Sequence, residues 1–516
     1  MNLNIKATIL SGLFLLAAAS PVHSQEQQVK QAVISTPPLP TREFRGVWVA
    51  TVANIDFPSQ PGLSTDQQKA ELVAILDRAA QLKLNAILFQ VRPMADALYA
   101  SPYEPWSEFL TGTMGKPPEP NYDPLTFAIQ EAHKRGLELH VWFNPYRASH
   151  PQAKSEVAPN HITKTRPDLV RQYGRYMWLD PGEKEVQDYS LKVMMDVVKR
   201  YDVDGIIIDD YFYPYPERNE NNQVIEFPDD ISYSKYLNSA GQLSRNDWRR
   251  ENINTFVQRL YENIKTAKPW VKVGISPFGT WKPGYPKQIS NINQARGFNA
   301  YEQIFADSRK WLMEGWLDYF SPQLYWKIEQ TAQSYPVLLN WWMNQNPKGR
   351  HIWASVYTSR VGNKERQNWD AHEILYQIKT TRGFAGAGNI HFSMKPLMQN
   401  RTGVSDLLSQ ESYQNQALVP ASPWLNKTAP TQPTLNIQKD ATSNTTQLTW
   451  KTTGKKPVWL WVVQTKIGNE WTTNILPASQ NSYLLNDAQI DAVAVSGVTR
   501  YGIQSPASII NIKQSL

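Results

Sequence analysis

Eight short apolar runs recur along the chain between Arg45 and Met394. They are RGVWVATV (45–52), NAILFQV (85–91), ELHVWFN (138–144), DGIIIDD (204–210), VKVGISP (271–277), DYFSPQLYW (318–326), HIWASVY (351–357) and NIHFSM (389–394). Each is brief and rich in β-branched or aromatic residues, the pattern of a strand buried on both faces. Helical spacing fills the intervals, at 66–81, 124–135, 183–201, 246–267, 300–315, 335–345 and 370–381. Thr65 or Asp66 is placed to cap the first of these helices, and Gly136 and Gly315 stop helices just ahead of a strand. Strands alternating with helices imply right-handed βαβ units, and eight such units suggest a closed (β/α)8 TIM barrel of the α/β class over residues 43–401. An open doubly wound sheet is the alternative. The count of eight, and the lack of a glycine-rich phosphate loop after the first run, favour the barrel.

The pattern changes on either side of this region. Residues 402–433 are polar and proline-rich and read as a linker. From 434 to 516 short strand-like runs alternate with turns (PTLNIQK, TTQLTWK, PVWLWVVQTK, SYLLN, AVAVSGV, SPASII), which is the pattern of a small all-β sandwich. Alternation puts Leu448 and Trp450 on one face of an early strand. At the other end, residues 1–24 combine Lys6, an apolar stretch from Ile9 to Ala19 and small residues near Ser24. That is a secretory signal peptide, too short to span a bilayer. Residues 25–42 form a Gln- and Pro-rich linker. No later stretch is long and apolar enough for a membrane span, so a soluble protein of the periplasm or the exterior is expected.

Composition narrows the chemistry. A chain of 516 residues exceeds one core. The 19 Trp and 24 Tyr suit a sugar site, because their flat apolar faces stack on ligands and their polar edges hydrogen-bond. The formal charge of +7 is mild and includes no basic run, so no nucleic-acid partner is expected. The absence of cysteine excludes disulfides, thiolate metal sites, a Cys nucleophile and a lipid-modified Cys anchor. The eight His show no zinc spacing, and no GxSxG or GxxxxGK[ST] motif occurs, so no metal or cofactor is expected.

What remains is carboxylate chemistry. In a barrel, acids that follow a strand sit at the mouth, and acids that precede one sit at the floor. Glu138, Asp204 and Asp318 precede strands and read as structural. Asp209 and Asp210 alone fall directly at a strand end, in GIIIDDYFY (205–213). Alternation would send one of them into the mouth and the other toward the helices. Paired acids with aromatic neighbours suggest glycoside hydrolysis, in which one carboxyl protonates the leaving oxygen and the other stays ionised. A partner acid from another strand is expected, with Asp96 ranked first, then Glu104 and Asp56. Other strand ends offer groups suited to sugar hydroxyls: Gln90 and Arg92, Asn144, Tyr146 and Arg147, Tyr211 and Tyr213, Trp281, and Gln323, Tyr325 and Trp326.

The stretches REFRGVWVATVANIDFPS, LNAILFQVRPMADALYASPYEPWSEFLTG, FNPYR, VDGIIIDDYFY, ISPFGTW and DYFSPQLYW resemble the glycosyl hydrolase-like 10 family, densely and in order from about Thr41 to Ser393. The resemblance implies a (β/α)8 barrel that hydrolyses bacterial cell-wall glycan, specifically peptide-free (denuded) peptidoglycan strands, with a polysaccharide as its partner and a place in cell-wall or cell-division machinery. It maps the family's segments onto Gln90–Pro93, Phe143–Arg147, Asp209–Tyr213 and Pro322–Trp326, and likens residues 434–516 to a fibronectin type III-like module. Two rivals stand beside it: a hydrolase of another amino-sugar exopolysaccharide, and a glycan-binding protein without catalysis.

Overall fold

The computed structural model describes residues 36–286, 298–363, 368–440, 445–485 and 490–512. The segment read as a signal peptide lies outside them. Eight parallel strands close a barrel: β1 (Phe44–Val49), β2 (Ala86–Arg92), β3 (Glu138–Phe143), β4 (Gly205–Ile208), β5 (Lys272–Ile275), β6 (Tyr319–Phe320), β7 (His351–Val356) and β8 (Gly388–His391). Strands pair in chain order, and β1 completes the ring against β8 with Phe44 opposite Gly388 and Val47 opposite His391. That closure settles the choice against an open sheet.

Helices follow the strands much as the spacing predicts, at Thr65–Gln81, Pro124–Lys134, Lys184–Arg200, Arg245–Ala267, Tyr335–Asn344 and Ala371–Thr381. Two local readings need correction. Ser64 caps the first helix rather than Thr65 or Asp66. Its hydroxyl accepts the Gln67 amide at 3.3 Å, and Gln67 Oε1 accepts the Ser64 amide at 3.0 Å, a reciprocal capping box. Ser64→Ala is expected to lower stability by about 1 kcal/mol, read as a shift in thermal or denaturant midpoint. The single helix expected over 300–315 is two pieces, Ala300–Gln303 and Ser308–Glu314. Phe305 breaks it with a left-handed φ of 54°, a conformation that no helix tolerates. Gly136 and Gly315 end their helices as expected, with φ of 70° and 74°.

Side chains of the strands divide into two cores. Phe44, Trp48, Leu88, Trp142, Ile207, Tyr319, Trp353 and Ile390 fill the barrel interior. The alternate residues, such as Val47, Val49, Ile87, Phe89, Val141, Ile206 and Ile208, face the helices. Rings pack the interior tightly: Phe44 lies flat on Trp353 with centroids 3.7 Å apart. Two glycines make room for them. A Cβ on Gly205 would stand 2.4 Å from His140, and one on Gly274 would stand 2.1 Å from Tyr319. The three acids that precede strands are floor ties. Glu138 holds Lys272 (2.8 Å) and His140 (3.0 Å), Asp204 bonds His133 (2.9 Å) and the Leu139 amide (2.9 Å), and Asp318 accepts the Val273 amide (2.9 Å) and pairs with Lys265.

Past the barrel, the stretch 402–433 carries short helical turns and buries Val404, Leu408, Tyr413 and Leu418. Leu418 exchanges backbone hydrogen bonds with Glu43 (3.0 Å) and Thr41 (2.9 Å) at the entry to β1. Two antiparallel sheets come next. One orders Thr434–Asp440, Thr445–Lys451 and Ser482–Leu485, and the other orders Glu470–Pro477, Leu460–Ile467, Ala492–Val498 and Ser508–Asn511. The strand Glu470–Pro477 does not stand out in the sequence, because EWTTNILP is half polar, with its polar residues adjacent rather than alternating, and it is only partly buried. Leu448 and Trp450 share the buried face, and Trp450 meets Trp461 of the other sheet edge-on at 6.1 Å. The sheets dock on the barrel floor. Arg500 pairs with Asp202 (2.5 Å) and Asp204 (3.4 Å), Trp459 packs edge-on against His133 (4.6 Å), and Lys272 donates to the Arg500 carbonyl (3.3 Å).

Candidate active site

At the other end of the strands a cleft of about 790 Å³ opens, and both acids of GIIIDDYFY line it. The parity left open by the sequence resolves for Asp209. It shares the face of Ile207, which points into the barrel. Asp210 would point outward if the strand continued, but β4 ends at Ile208 and the turn swings Asp210 to the same cleft. The expectation that one acid faces the helices is therefore corrected: both reach the mouth.

Their surroundings differ. Asp209 accepts the Trp142 indole N–H at 3.1 Å and the Tyr211 amide at 3.4 Å. Burial, and then the neighbouring charge of Asp210, push its pKa up to about 7. Burial also raises Asp210, against hydrogen bonds from the Tyr215 hydroxyl and the Gln323 amide that favour its charged form. Arg147 lies 4.8 Å over the Tyr211 ring, and its charge acts on both acids in the ionising direction.

The expected sugar ligands separate into two groups. Arg147, Tyr211, Gln323 and Tyr325 line the cleft with the acids. The remainder lie outside its lining, for physical reasons that differ. Gln90 Oε1 accepts the Thr51 (2.9 Å) and Val52 (2.8 Å) amides, so it shapes the rim loop from below. Arg92 is sealed in an ion pair with Glu104 at 2.6 Å, joined by the Tyr189 hydroxyl at 3.0 Å. Asn144 Oδ1 accepts the Arg147 amide at 2.9 Å and so aims the chain that carries that cation. Tyr146 packs on Phe256, Tyr213 on Phe227 and Phe305, Trp281 on Tyr301 and Trp341 with its N–H on Asp307 (3.1 Å), and Trp326 on Phe278.

No partner acid joins the pair from the three ranked candidates. Asp96 is wholly enclosed, accepts the Met94 amide at 2.9 Å, and is raised to about 7 by burial. Glu104 is the counterion of Arg92. Asp56 ties β1 to β8 by accepting the Ala50 amide (2.9 Å), the Ser393 hydroxyl (2.8 Å) and the Lys395 amide (2.7 Å). Among the described residues the acids lining the cleft are Asp209 and Asp210.

Other lining residues escape the sequence reading. Trp48 and Trp142 meet edge-on at 4.8 Å on the cleft floor, and Trp48 donates to Ser355 at 3.2 Å. Both stand inside strand runs, where an interior parity would have pointed them upward. His150, held neutral near pKa 4 by burial and the charges of Arg147 and Arg175, lines one side. Phe392, Lys395 and Arg401 line another. The rim residues Ala53 and Asn54 are both left-handed at φ 54°, backbone strain of the kind that gathers at functional sites.

A closed parallel barrel with two enclosed carboxyls and aromatic rings at its mouth has the architecture of a glycosyl hydrolase. The glycosyl hydrolase-like 10 family model matches residues 43–371, and the chain belongs to that family. It is 41% identical over 413 residues to Glycosyl hydrolase YngK of Bacillus subtilis (strain 168), covering 79% of each chain. It is 34% identical over 397 residues to Glycosyl hydrolase DigH of Escherichia coli (strain K12), covering 72% of this chain and 88% of that protein. Among solved structures, the PgaB (BpsB) glycoside hydrolase domain from Bordetella bronchiseptica aligns with a TM-score of 0.44 at 10% identity, over 72% of this chain and 99% of that one.

Proposed function

We propose that this glycosyl hydrolase cleaves the glycan of the bacterial cell wall, on peptidoglycan strands freed of peptide, in the periplasm or outside the cell. The observation that carries the chemistry is the enclosed Asp209–Asp210 pair at the mouth. Asp209, its pKa raised to about 7, keeps its proton in a large fraction of molecules at neutral pH and donates it to the leaving glycosidic oxygen. Asp210, given hydrogen bonds by Tyr215 and Gln323, stays ionised and activates water or steadies the positive charge that grows on the sugar ring. Trp48, Trp142 and Tyr325 offer faces and edges against which sugar rings stack. Export of the chain is supported by the leader-like residues 1–24, and the cell-wall substrate by the family resemblance.

The test is release of soluble fragments from amidase-treated glycan strands, with product masses identifying the bond cut. Release should fall as pH rises through about 7, because Asp209 then loses the proton it must donate. It should also fall on the acid side as Asp210 becomes protonated. Fragments from an exopolysaccharide but none from cell-wall strands would move the substrate to that polymer. Binding without release from either would replace catalysis with glycan capture.

A further inference from the structure

The cleft carries more positive charge than its two acids need. Arg147, Lys395 and Arg401 all line it, and among the described residues none of the three forms an ion pair. Arg147 serves the acids: it stacks on Tyr211 and its Nε donates to the Pro93 carbonyl at 3.0 Å. Lys395 and Arg401 have no such duty toward the acid pair. Lys395 is exposed; its backbone amide donates to Asp56 at 2.7 Å and its charge acts on that enclosed carboxylate, while the Arg401 Nε donates to Gln399 at 2.7 Å, a neutral partner.

Position makes the excess meaningful. Lys395 and Arg401 follow β8, whereas the acids follow β4. In a ring of eight strands paired in order, β4 and β8 are diametrically opposed. The cations therefore face the acids across the mouth, over a space lined by Trp48, Trp142 and Phe392. A neutral sugar seated there would leave Arg401 without a carboxylate and Lys395 with only the enclosed Asp56. A sugar bearing a carboxylate would satisfy them with charge-assisted hydrogen bonds, the stronger kind.

We propose that Lys395 and Arg401 read a free carboxylate on the sugar seated opposite the acid pair, so that the preferred substrate is a glycan whose carboxylates are not capped as amides. This rests on the cell-wall reading given above. In a peptidoglycan strand the lactyl carboxylate is an amide wherever a stem peptide is attached, and becomes an anion when the peptide is removed. Charge, rather than bulk alone, then separates bare strands from substituted ones.

The experiment compares kcat/KM on peptide-free strands with kcat/KM on the same strands after carbodiimide coupling to methylamine, which neutralises the carboxylates with little added bulk. The native protein should favour the free acid by about 10- to 100-fold, the size of one or two charge-assisted hydrogen bonds. In Lys395→Gln/Arg401→Gln the ratio should fall toward one, with the loss on native strands appearing in KM. Lys395→Gln alone, at an exposed position, should move the ratio the same way if the double variant folds poorly. Equal rates of the native protein on both strands, or an unchanged ratio in the variants, overturns the proposal. If the native protein cleaves neither strand, the cell-wall hydrolase reading fails; equal affinities for the two strands would then overturn the carboxylate reading separately, and a preference for the free acid would uphold it.

Discussion

Asp209→Asn is expected to lower glycan cleavage by about 100- to 10,000-fold, the range supplied by a positioned acid, while strand binding persists. An amide cannot give a proton to the leaving oxygen, yet it keeps the size of the carboxyl and can still accept the Trp142 indole N–H. Asp210→Asn should cost a similar factor and carry a second signature. The charge of Asp210 helps hold Asp209 near pKa 7. Without it Asp209 becomes a stronger acid, so the alkaline limb of any residual activity should move to lower pH. The two losses should not multiply in the double variant, because the residues act as one unit. Unchanged turnover in both single variants would remove the acid pair from the chemistry.

The largest loss of stability is expected at a residue that the sequence suggests for sugar binding. Arg92 and Glu104 have no exposed side-chain surface, and the guanidinium meets both carboxylate oxygens. Glu104→Ala leaves that cation buried without a counter-charge, at an expected cost of about 3–5 kcal/mol. Replacing both residues with apolar ones of similar volume, as in Arg92→Met/Glu104→Leu, should recover most of the loss, since desolvating the pair offsets much of its attraction. Thermal unfolding of the two variants decides this. A Glu104→Ala cost below about 1 kcal/mol would mean that the pair contributes no more than one at the surface.

The contrast between these two sites shows what the chain made legible. Strand number and order follow from eight apolar runs, and the barrel closes as the count implies. The acid pair follows from its place at a strand end. Side-chain direction did not follow, because every barrel strand is buried on both faces and shows no polar–apolar alternation from which to read parity. Gln90, Arg92 and Asn144 are polar residues at strand ends, as sugar ligands would be. They turn aside instead, toward backbone amides and a buried carboxylate of the loops that follow the strands, which only the folded chain brings near. Lys395 and Arg401 were invisible for the opposite reason. They come after β8, a strand end with no nearby acid in the sequence to mark it as part of the mouth. Asp96 misled by position: it follows β2, but the chain doubles back and its carboxyl caps the amide of Met94.

The docking of the C-terminal sheets on the barrel floor sets a direction for the whole molecule. Arg500 grips Asp202 and Asp204 just before β4, and the acid pair stands just after it. One short strand thus separates the grip from the chemistry, and the neighbouring six-residue β3 spans about 20 Å. Anything held by the far side of the sheets lies behind the barrel, and the mouth looks away from it. Placed there, the sheets cover the floor and leave the approach to the cleft free of themselves.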